Sequence, residues 1–350
     1  MKNSQAEKHI TVKASGEYQV IIGKNLIGRA GEKISQVIKP CKIALVTDDV
    51  VDALYSKTVI ESLVNFGFEV VKYVFLHGEE SKNLNTYGKI VNFLAENRLT
   101  RTDALVALGG GVVGDMAGFA AATYLRGIKY VQIPTTLLAQ IDSSVGGKTA
   151  IDLAEGKNLV GAFCQPSLVI CDVDTLKSLD EETFTDGMGE TAKYLILDEK
   201  IFNLVESGNY SIQDLVYACV DYKRKVVEAD EFEGGMRKLL NLGHTPAHGI
   251  ERLSGYTITH GKAVAMGLKI ILANSKRYGF MSQIDYERAM SVISKCVKDT
   301  ESPYSIEDIT ESAMSDKKRS GNTITLMMVH GIGDVRESKI TIEEFRGYLK

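Results

Sequence analysis

Tryptophan is absent from the 350 residues, and proline and cysteine occur five times each. The cysteines, Cys41, Cys164, Cys171, Cys219 and Cys296, are odd in number, widely spread and form no C-x-x-C pair. That excludes a disulfide framework and a thiolate zinc site, and it suits a reducing cytosol. No segment reaches the ~20 apolar residues that a membrane-spanning helix requires. The N-terminal stretch MKNSQAEKHITVKASGEYQV is polar and lacks the apolar core of a signal peptide. A formal net charge of -4 offers no general attraction for nucleic acid or acidic lipid, and no basic helix or aromatic-basic platform is present. A cytoplasmic protein without nucleic-acid or membrane partners is expected, in which any anion binding comes from local clusters of lysine and arginine.

What is there reads as an ordinary globular composition, 44% hydrophobic and 25% charged. A length of 350 residues exceeds the usual span of one core, so two domains are expected. Short β-branched runs at Lys42–Asp48, Val70–Leu76, Asp103–Leu108, Tyr130–Ile133 and Leu168–Cys171 read as strands, and Leu84, Tyr87, Val91 and Leu94 keep helical spacing between them. This alternation predicts a Rossmann-like α/β domain with a parallel sheet over 1–177, preceded by one antiparallel segment at Tyr18–Ile22. From 178 the strand signals give way to helical patterns at 187–207, 211–231, 246–253, 261–278, 285–298 and 305–316, which predicts an all-α domain over 178–350. No Pro/Gly-rich linker lies near Asp172–Leu179, so tight packing and a cleft between the domains are expected. No internal repeat or low-complexity tract occurs.

The run Leu108-Gly-Gly-Gly-Val-Val-Gly-Asp115 follows a predicted strand and opens a predicted helix, with Gly109, Gly111 and Gly114 at G-x-G-x-x-G spacing. Glycines there permit a tight turn and a close approach of backbone N–H groups to a phosphate. The usual dinucleotide fingerprint lies at the first strand, with an acidic residue ~20 positions later. Here the following strand ends in Gln132-Ile133-Pro134, whereas the pair Asp48-Asp49 follows the first central strand, where it could meet a ribose. Simple packing is the competing explanation of the glycines. A second run, Asp142-Ser-Ser-Val-Gly-Gly-Lys-Thr149, lacks the glycine a nucleoside-triphosphate P-loop needs at the place of Asp142, which argues against a kinase or ATPase. Lys148 remains a candidate anion contact.

Only six histidines occur, yet His244, His248 and His260 fall close together in sequence. Imidazoles with a carboxylate form a common zinc ligand set, and three protein ligands leave a position open for substrate. His244 and His248 stand at i, i+4, but Pro246 lies between them. Proline at the first helical position would make Thr245 the N-cap and leave His244 ahead of the helix, which favours His260 as the second ligand. Glu190, in Gly187-Met-Gly-Glu190-Thr-Ala-Lys193, is the carboxylate candidate, at a predicted helix start among small neighbours.

Along nearly its whole length the chain resembles the 3-dehydroquinate synthases of the sugar phosphate cyclase group. The resemblance rests on GGGVVGD at 109–115, PTTLLAQIDSSVGGK at 134–148, GKNLVGAFCQP at 156–166, GMGETAKY at 187–194, RKLLNLGHTPAHGIE at 237–251, HGKAVAMG at 260–267 and DKK at 316–318, in the family's order. It implies an NAD-binding N-terminal domain, a helical C-terminal domain holding a divalent metal, usually zinc and alternatively cobalt, and a homodimer acting on a sugar phosphate. By the same resemblance the metal ligands are Glu190, His244 and His260, and NAD contacts fall at Asp48, Glu79, Lys82, Gly111, Val112, Val113, Gly114, Asp115, Thr135, Thr136, Lys148 and Lys157. Substrate contacts carry over to Arg126, Asp142, Lys148, Lys157, Asn158, Lys193, Lys223, Arg237, Asn241, His248 and Lys317 or its neighbour Lys318. Of these His248, Lys148, Lys193, Arg237 and Asn241 are the catalytic candidates. A cation cluster of this size suits a substrate with one carboxylate and one phosphate.

Three departures stand out: Pro246-Ala247 where the family usually has Phe-Gly, Lys262 where it has Glu, and Gly189 where it has Ala before the metal carboxylate. Other sugar phosphate cyclases, and metal-dependent polyol dehydrogenases of the glycerol dehydrogenase group, are the rival enzyme classes. A regulator that kept the fold without catalysis is the non-enzymatic rival.

Overall fold

The structure, a computed structural model, describes residues 6–298, 300–317 and 323–349. Two compact units emerge, one formed by Met1–Leu179 with Lys223–Glu231 and the other by Asp180–Tyr222 with Phe232–Lys350.

The first unit is built on strands β1 (Lys8–Lys13), β2 (Glu17–Gly23), β3 (Lys42–Asp48), β4 (Glu69–Phe75), β5 (Ala104–Gly109), β6 (Lys129–Pro134), β7 (Lys148–Leu153), β8 (Gly156–Phe163) and β9 (Leu168–Asp172). Its helices are α1 (Ala30–Ser35), the single turn α2 (Asp49–Val51), α3 (Lys57–Asn65), α4 (Leu84–Glu96) and α5 (Gly111–Thr123). Seven strands form one sheet in the order β1-β2-β9-β6-β5-β3-β4. Every residue of β5 is buried, as expected of a strand covered on both faces. Ile43, Leu45, Val106 and Leu108 point to one side, onto Ile34, Val59 and Leu63. Ala44, Val46, Leu105 and Ala107 point to the other, onto Ile90, Leu94, Val113 and Met116.

One expectation needs correction here. The segment at Tyr18–Ile22 is antiparallel only to β1; against the main sheet it runs parallel to β9. Lys148 opens strand β7, because Gly146 and Gly147 adopt left-handed φ of 95° and 69° and turn the chain into the β7–β8 hairpin. With a strand and no helix after Gly-Gly-Lys, no P-loop forms.

The second unit is helical: α6 (Glu181–Leu197), α7 (Glu199–Glu206), α8 (Ile212–Ala229), α9 (His244–Leu253), α10 (His260–Arg277), α11 (Gln283–Cys296), α12 (Ile306–Lys317) and α13 (Ile342–Leu349), with the last part of α8 grouped in the first unit. It also carries an unforeseen antiparallel hairpin, β10 (Thr323–Gly331) with β11 (Asp334–Thr341). The helix α10 is approached by two others at bare backbone. A Cβ on Gly189 of α6 would lie 2.1 Å from the Gly261 carbonyl oxygen, and one on Gly267 would lie 2.2 Å from that of Gly243, which precedes α9. These contacts draw the start of α10 onto α6 and the start of α9 onto α10.

Candidate active site

In the first unit the strand order reverses between β3 and β5, and in such sheets ligands bind beyond the carboxyl ends of the strands at that reversal. The ends there are Asp48 and Gly109. Because β3 and β5 are paired neighbours, with Thr47 opposite Leu108, the acidic residue reaches the glycine turn from an earlier strand rather than from a later one. Asp48 is buried, and its Oδ1 accepts from the Val51 N–H at 2.8 Å. Gly109, Gly110 and Gly111 all keep negative φ, so the turn needs space rather than left-handed backbone. Gly114 serves packing, since a Cβ there would stand 2.6 Å from Gln132 Oε1. Helix α5 starts at Gly111 with no side-chain cap, which leaves its first N–H groups for an anion. Thr135 is buried, and its Oγ1 has no hydrogen-bond partner among the described residues. These features fit a dinucleotide.

Beside them lies a charged cluster of the same unit. The buried Lys82 ammonium is 2.7 Å from Asp115 and donates to Asn158 Oδ1 at 2.6 Å, while Glu79 lies within 4 Å of both Lys82 and Lys157. Burial works against the charged lysine, but Asp115 and Glu79 together hold it above the ordinary lysine range. Asn158 sits at φ 58° and donates its N–H to Asp152. Asp142 and Lys223 are paired with each other, and Lys223 also donates to the Asp142 carbonyl at 2.7 Å. Arg126 occupies the left-handed turn after α5, at φ 67°.

In the second unit, carboxylate and imidazole atoms of Glu190, His244 and His260 all lie within 4.8 Å of one another. Glu190 Oε1 is 3.1 Å from His260 Nε2 and 3.5 Å from His244 Nε2, and Oε2 is 2.5 Å from Lys193 Nζ. The remaining ring nitrogens are also engaged: His244 Nδ1 lies 3.2 Å from the Leu242 carbonyl oxygen, and His260 Nδ1 lies 3.4 Å from Glu251. Both rings are thereby turned to present Nε2 to a common point, as metal-bound histidines are. Burial pushes the His244 imidazole down to about 3, so it is a neutral donor. His260 is pushed up to about 10: burial opposes the charge, but its hydrogen bonds to Glu190 and Glu251 outweigh it. The donor set fits a divalent metal such as zinc or cobalt.

Contrary to the expectation from Pro246, His244 does not stand ahead of the helix. Helix α9 starts at His244, its N-cap is Gly243 at φ 80°, and Thr245 is no cap. The first intrahelical bond runs from Ala247 N–H to the Gly243 carbonyl, so Pro246 falls within the first turn, where an N–H has no acceptor to lose. His244 and His248 do share one helix, their ring centroids 5.7 Å apart, while His248 lies 6.4 Å from His260 and is exposed.

Arg237 is almost fully buried in the turn Met236–Asn241, and Asn241 donates to Glu233 at 2.7 Å. Lys317 ends α12, but its side chain and all of Lys318 lie outside the described residues. Sequence reading missed Glu251, Asp152 and Asp186. The first closes the RKLLNLGHTPAHGIE stretch, seven positions after His244, which was the one signal available.

A doubly wound sheet carrying its glycine turn at the strand reversal, followed by a helical unit, is a fold found in solved sugar phosphate cyclases. 2-Deoxy-scyllo-inosose synthase, solved with carbaglucose-6-phosphate, NAD+ and Co2+, shares it at a TM-score of 0.86 and 24% identity over 98% of this chain and 99% of that one. So does 2-epi-5-epi-valiolone synthase from Streptomyces hygroscopicus subsp. jinggangensis, solved with NAD+ and Zn2+, at a TM-score of 0.86 and 22% identity over 97% and 98%. Residues 72–186 match the 3-dehydroquinate synthase N-terminal family and residues 187–319 the C-terminal one. The 3-dehydroquinate synthase of Clostridium acetobutylicum is 43% identical over 346 residues, 95% of this chain and 96% of its own. The chain belongs to the 3-dehydroquinate synthase family.

Proposed function

We propose that the chain converts 3-deoxy-D-arabino-heptulosonate 7-phosphate to 3-dehydroquinate and phosphate, as a lyase of the shikimate route to aromatic amino acids, with NAD and a divalent metal as cofactors. The observation that carries the reading is the convergence of Glu190, His244 and His260 on one point with the outer nitrogen of each ring already engaged. The reaction is oxidation at C5, loss of phosphate, re-reduction, ring opening and intramolecular aldol closure, so it is redox-neutral overall. When bound, NAD supplies the hydride acceptor and donor and the metal supplies Lewis acidity toward the substrate hydroxyls.

The residues of the chain do the rest. Glu190, His244 and His260 hold the metal, and Lys193, ion-paired to Glu190, fixes that carboxylate. Asp48, the start of α5 from Gly111 to Asp115, Thr135 and Thr136 hold the dinucleotide, and the Glu79–Lys82–Asp115 cluster braces its edge. His248 is one turn from His244 and exposed, the position of a proton relay at the C5 hydroxyl. Arg126, Lys148, Lys157, Asn158, Arg237, Asn241 and Lys317 bind the carboxylate and phosphate ends, with Asp142 and Lys223 acting as a pair. No helix among the described residues is long and apolar enough to cross a membrane. Together with the dispersed cysteines this supports a cytoplasmic site of action, and the family resemblance supports a homodimer.

The test is phosphate release from that substrate by protein loaded with metal and NAD, with NADH absorbance followed in parallel. Catalytic release without net NADH, abolished by chelation, is the expected result. Steady NADH accumulation with a polyol and no phosphate release would move the chain to the dehydrogenase class.

A further inference from the structure

Helix α10 begins with a ligand, His260, yet it lacks the usual means of fixing its own start. Its N-cap is Thr259, whose side chain makes no capping bond, and its first turn contains no acidic residue. In a capping box the fourth residue of Thr-x-x-Glu reaches back to the cap, and negative charge there also favours the positive helix end. This chain has Lys262 at that place, with the wrong sign and no acceptor. The bond is made instead from another helix. Asp186, half-buried on α6, accepts from the Gly261 N–H through Oδ1 at 2.6 Å. One turn further along the same face of α6 stands Glu190. A single helix face thus supplies both a metal carboxylate and the cap of the turn that carries another metal ligand. The fit is close, since a Cβ on Gly261 would lie 1.8 Å from the Asp186 carbonyl oxygen.

We propose that Asp186 is a positioning residue for His260, acting through the first turn of α10, and that it replaces in trans the cap that Lys262 cannot supply. The proposal rests on the reading of Glu190, His244 and His260 as the metal site. Asp186 sets where the backbone of His260 sits, and Glu251 then sets the ring.

The experiment is a double-mutant cycle on the full chain, reading Co2+ affinity by competition with a chromophoric chelator, the ligand-field spectrum of bound Co2+, and NAD affinity. Asp186→Ala is expected to weaken Co2+ binding roughly 10- to 100-fold, the usual loss for a residue that orients a ligand, and to change the spectrum. NAD affinity should not move, whereas a general loss of folding would lower both. Asp186→Asn, which keeps an oxygen for the Gly261 N–H, should bind Co2+ as the unaltered protein does. Lys262→Glu should restore much of the lost affinity in the Asp186→Ala background, and do far less in the unaltered one, because it rebuilds a cap only where one is missing.

Undiminished Co2+ binding by Asp186→Ala overturns the proposal, as does an equal gain from Lys262→Glu in both backgrounds. If Asp186→Ala alone does not fold, the comparison of Lys262→Glu with the double variant decides: equal Co2+ affinity supports the trans cap, and a tenfold loss in the double variant overturns it. An unaltered protein that binds no Co2+ overturns the metal reading as well.

Discussion

His260 Nε2 lies 3.1 Å from Glu190 Oε1, while its Nδ1 lies 3.4 Å from Glu251, so one imidazole bridges two buried carboxylates. The two carboxylates have different duties, and separate substitutions distinguish them.

His260→Ala should abolish metal retention, measured as bound zinc after gel filtration, because three donors become two. His248→Ala should keep the metal and lower turnover by roughly 10²- to 10⁴-fold, the range for loss of a general acid or base. The reverse pattern would exchange the two assignments.

Glu251→Ala should leave the three ligands in place but free the ring of His260. A loss of about 10- to 100-fold in zinc affinity by chelator competition is expected. Unchanged affinity would mean that Glu251 serves only the packing of α9.

Gly267→Ala places a methyl 2.2 Å from the Gly243 carbonyl oxygen, so α9 and α10 must part. Urea unfolding should show a loss of about 1–3 kcal/mol, with weaker metal binding. Gly88, in the middle of α4, has nothing within 4 Å of a built Cβ, and Gly88→Ala should instead stabilise by roughly 0.5–1 kcal/mol through helix propensity. A similar loss at both positions would remove close packing as the cause.

Asp103 accepts from the Thr100 N–H at 2.7 Å, the Thr100 hydroxyl at 2.8 Å and the Lys42 N–H at 3.0 Å. Burial tends to raise its carboxyl, but these bonds outweigh burial and hold it below the usual range. Its folded-state value being depressed, the stabilisation is present above the unfolded value of about 3.9 and is lost as pH falls through the folded one. Asp103→Asn should cost about 1–2 kcal/mol at neutral pH, and the gap from the unaltered protein should close below about pH 4. A gap that persisted into acid would assign the effect to shape and not to charge.

Much of this was legible in the residues themselves. Strands such as Ala104–Gly109 declare themselves because both faces are buried and the run is continuously apolar. Six histidines, three of them close together, advertise a metal site because the chemistry of imidazole is rare and local. The hairpins were harder. Strand β8 buries none of its residues fully and alternates weakly, and β11 is mostly polar, so neither has the hydrophobic period that marks a strand.

Other features were decided only in three dimensions. Pro246 pointed to a later helix start, yet Gly243 at φ 80°, pressed against α10, starts the helix at His244. Strand order alone brings Asp48 beside the glycine turn of a later strand. Asp186 and Glu251 lie far from the backbone or ring they serve in sequence, one across helices and one across a loop. The sequence by itself determined which chemistry the chain carries and where its strands and helices run, because periodicity and side-chain type are local. Tertiary structure decided which groups meet, because that depends on where glycine lets two backbones touch and on the order in which distant strands pair.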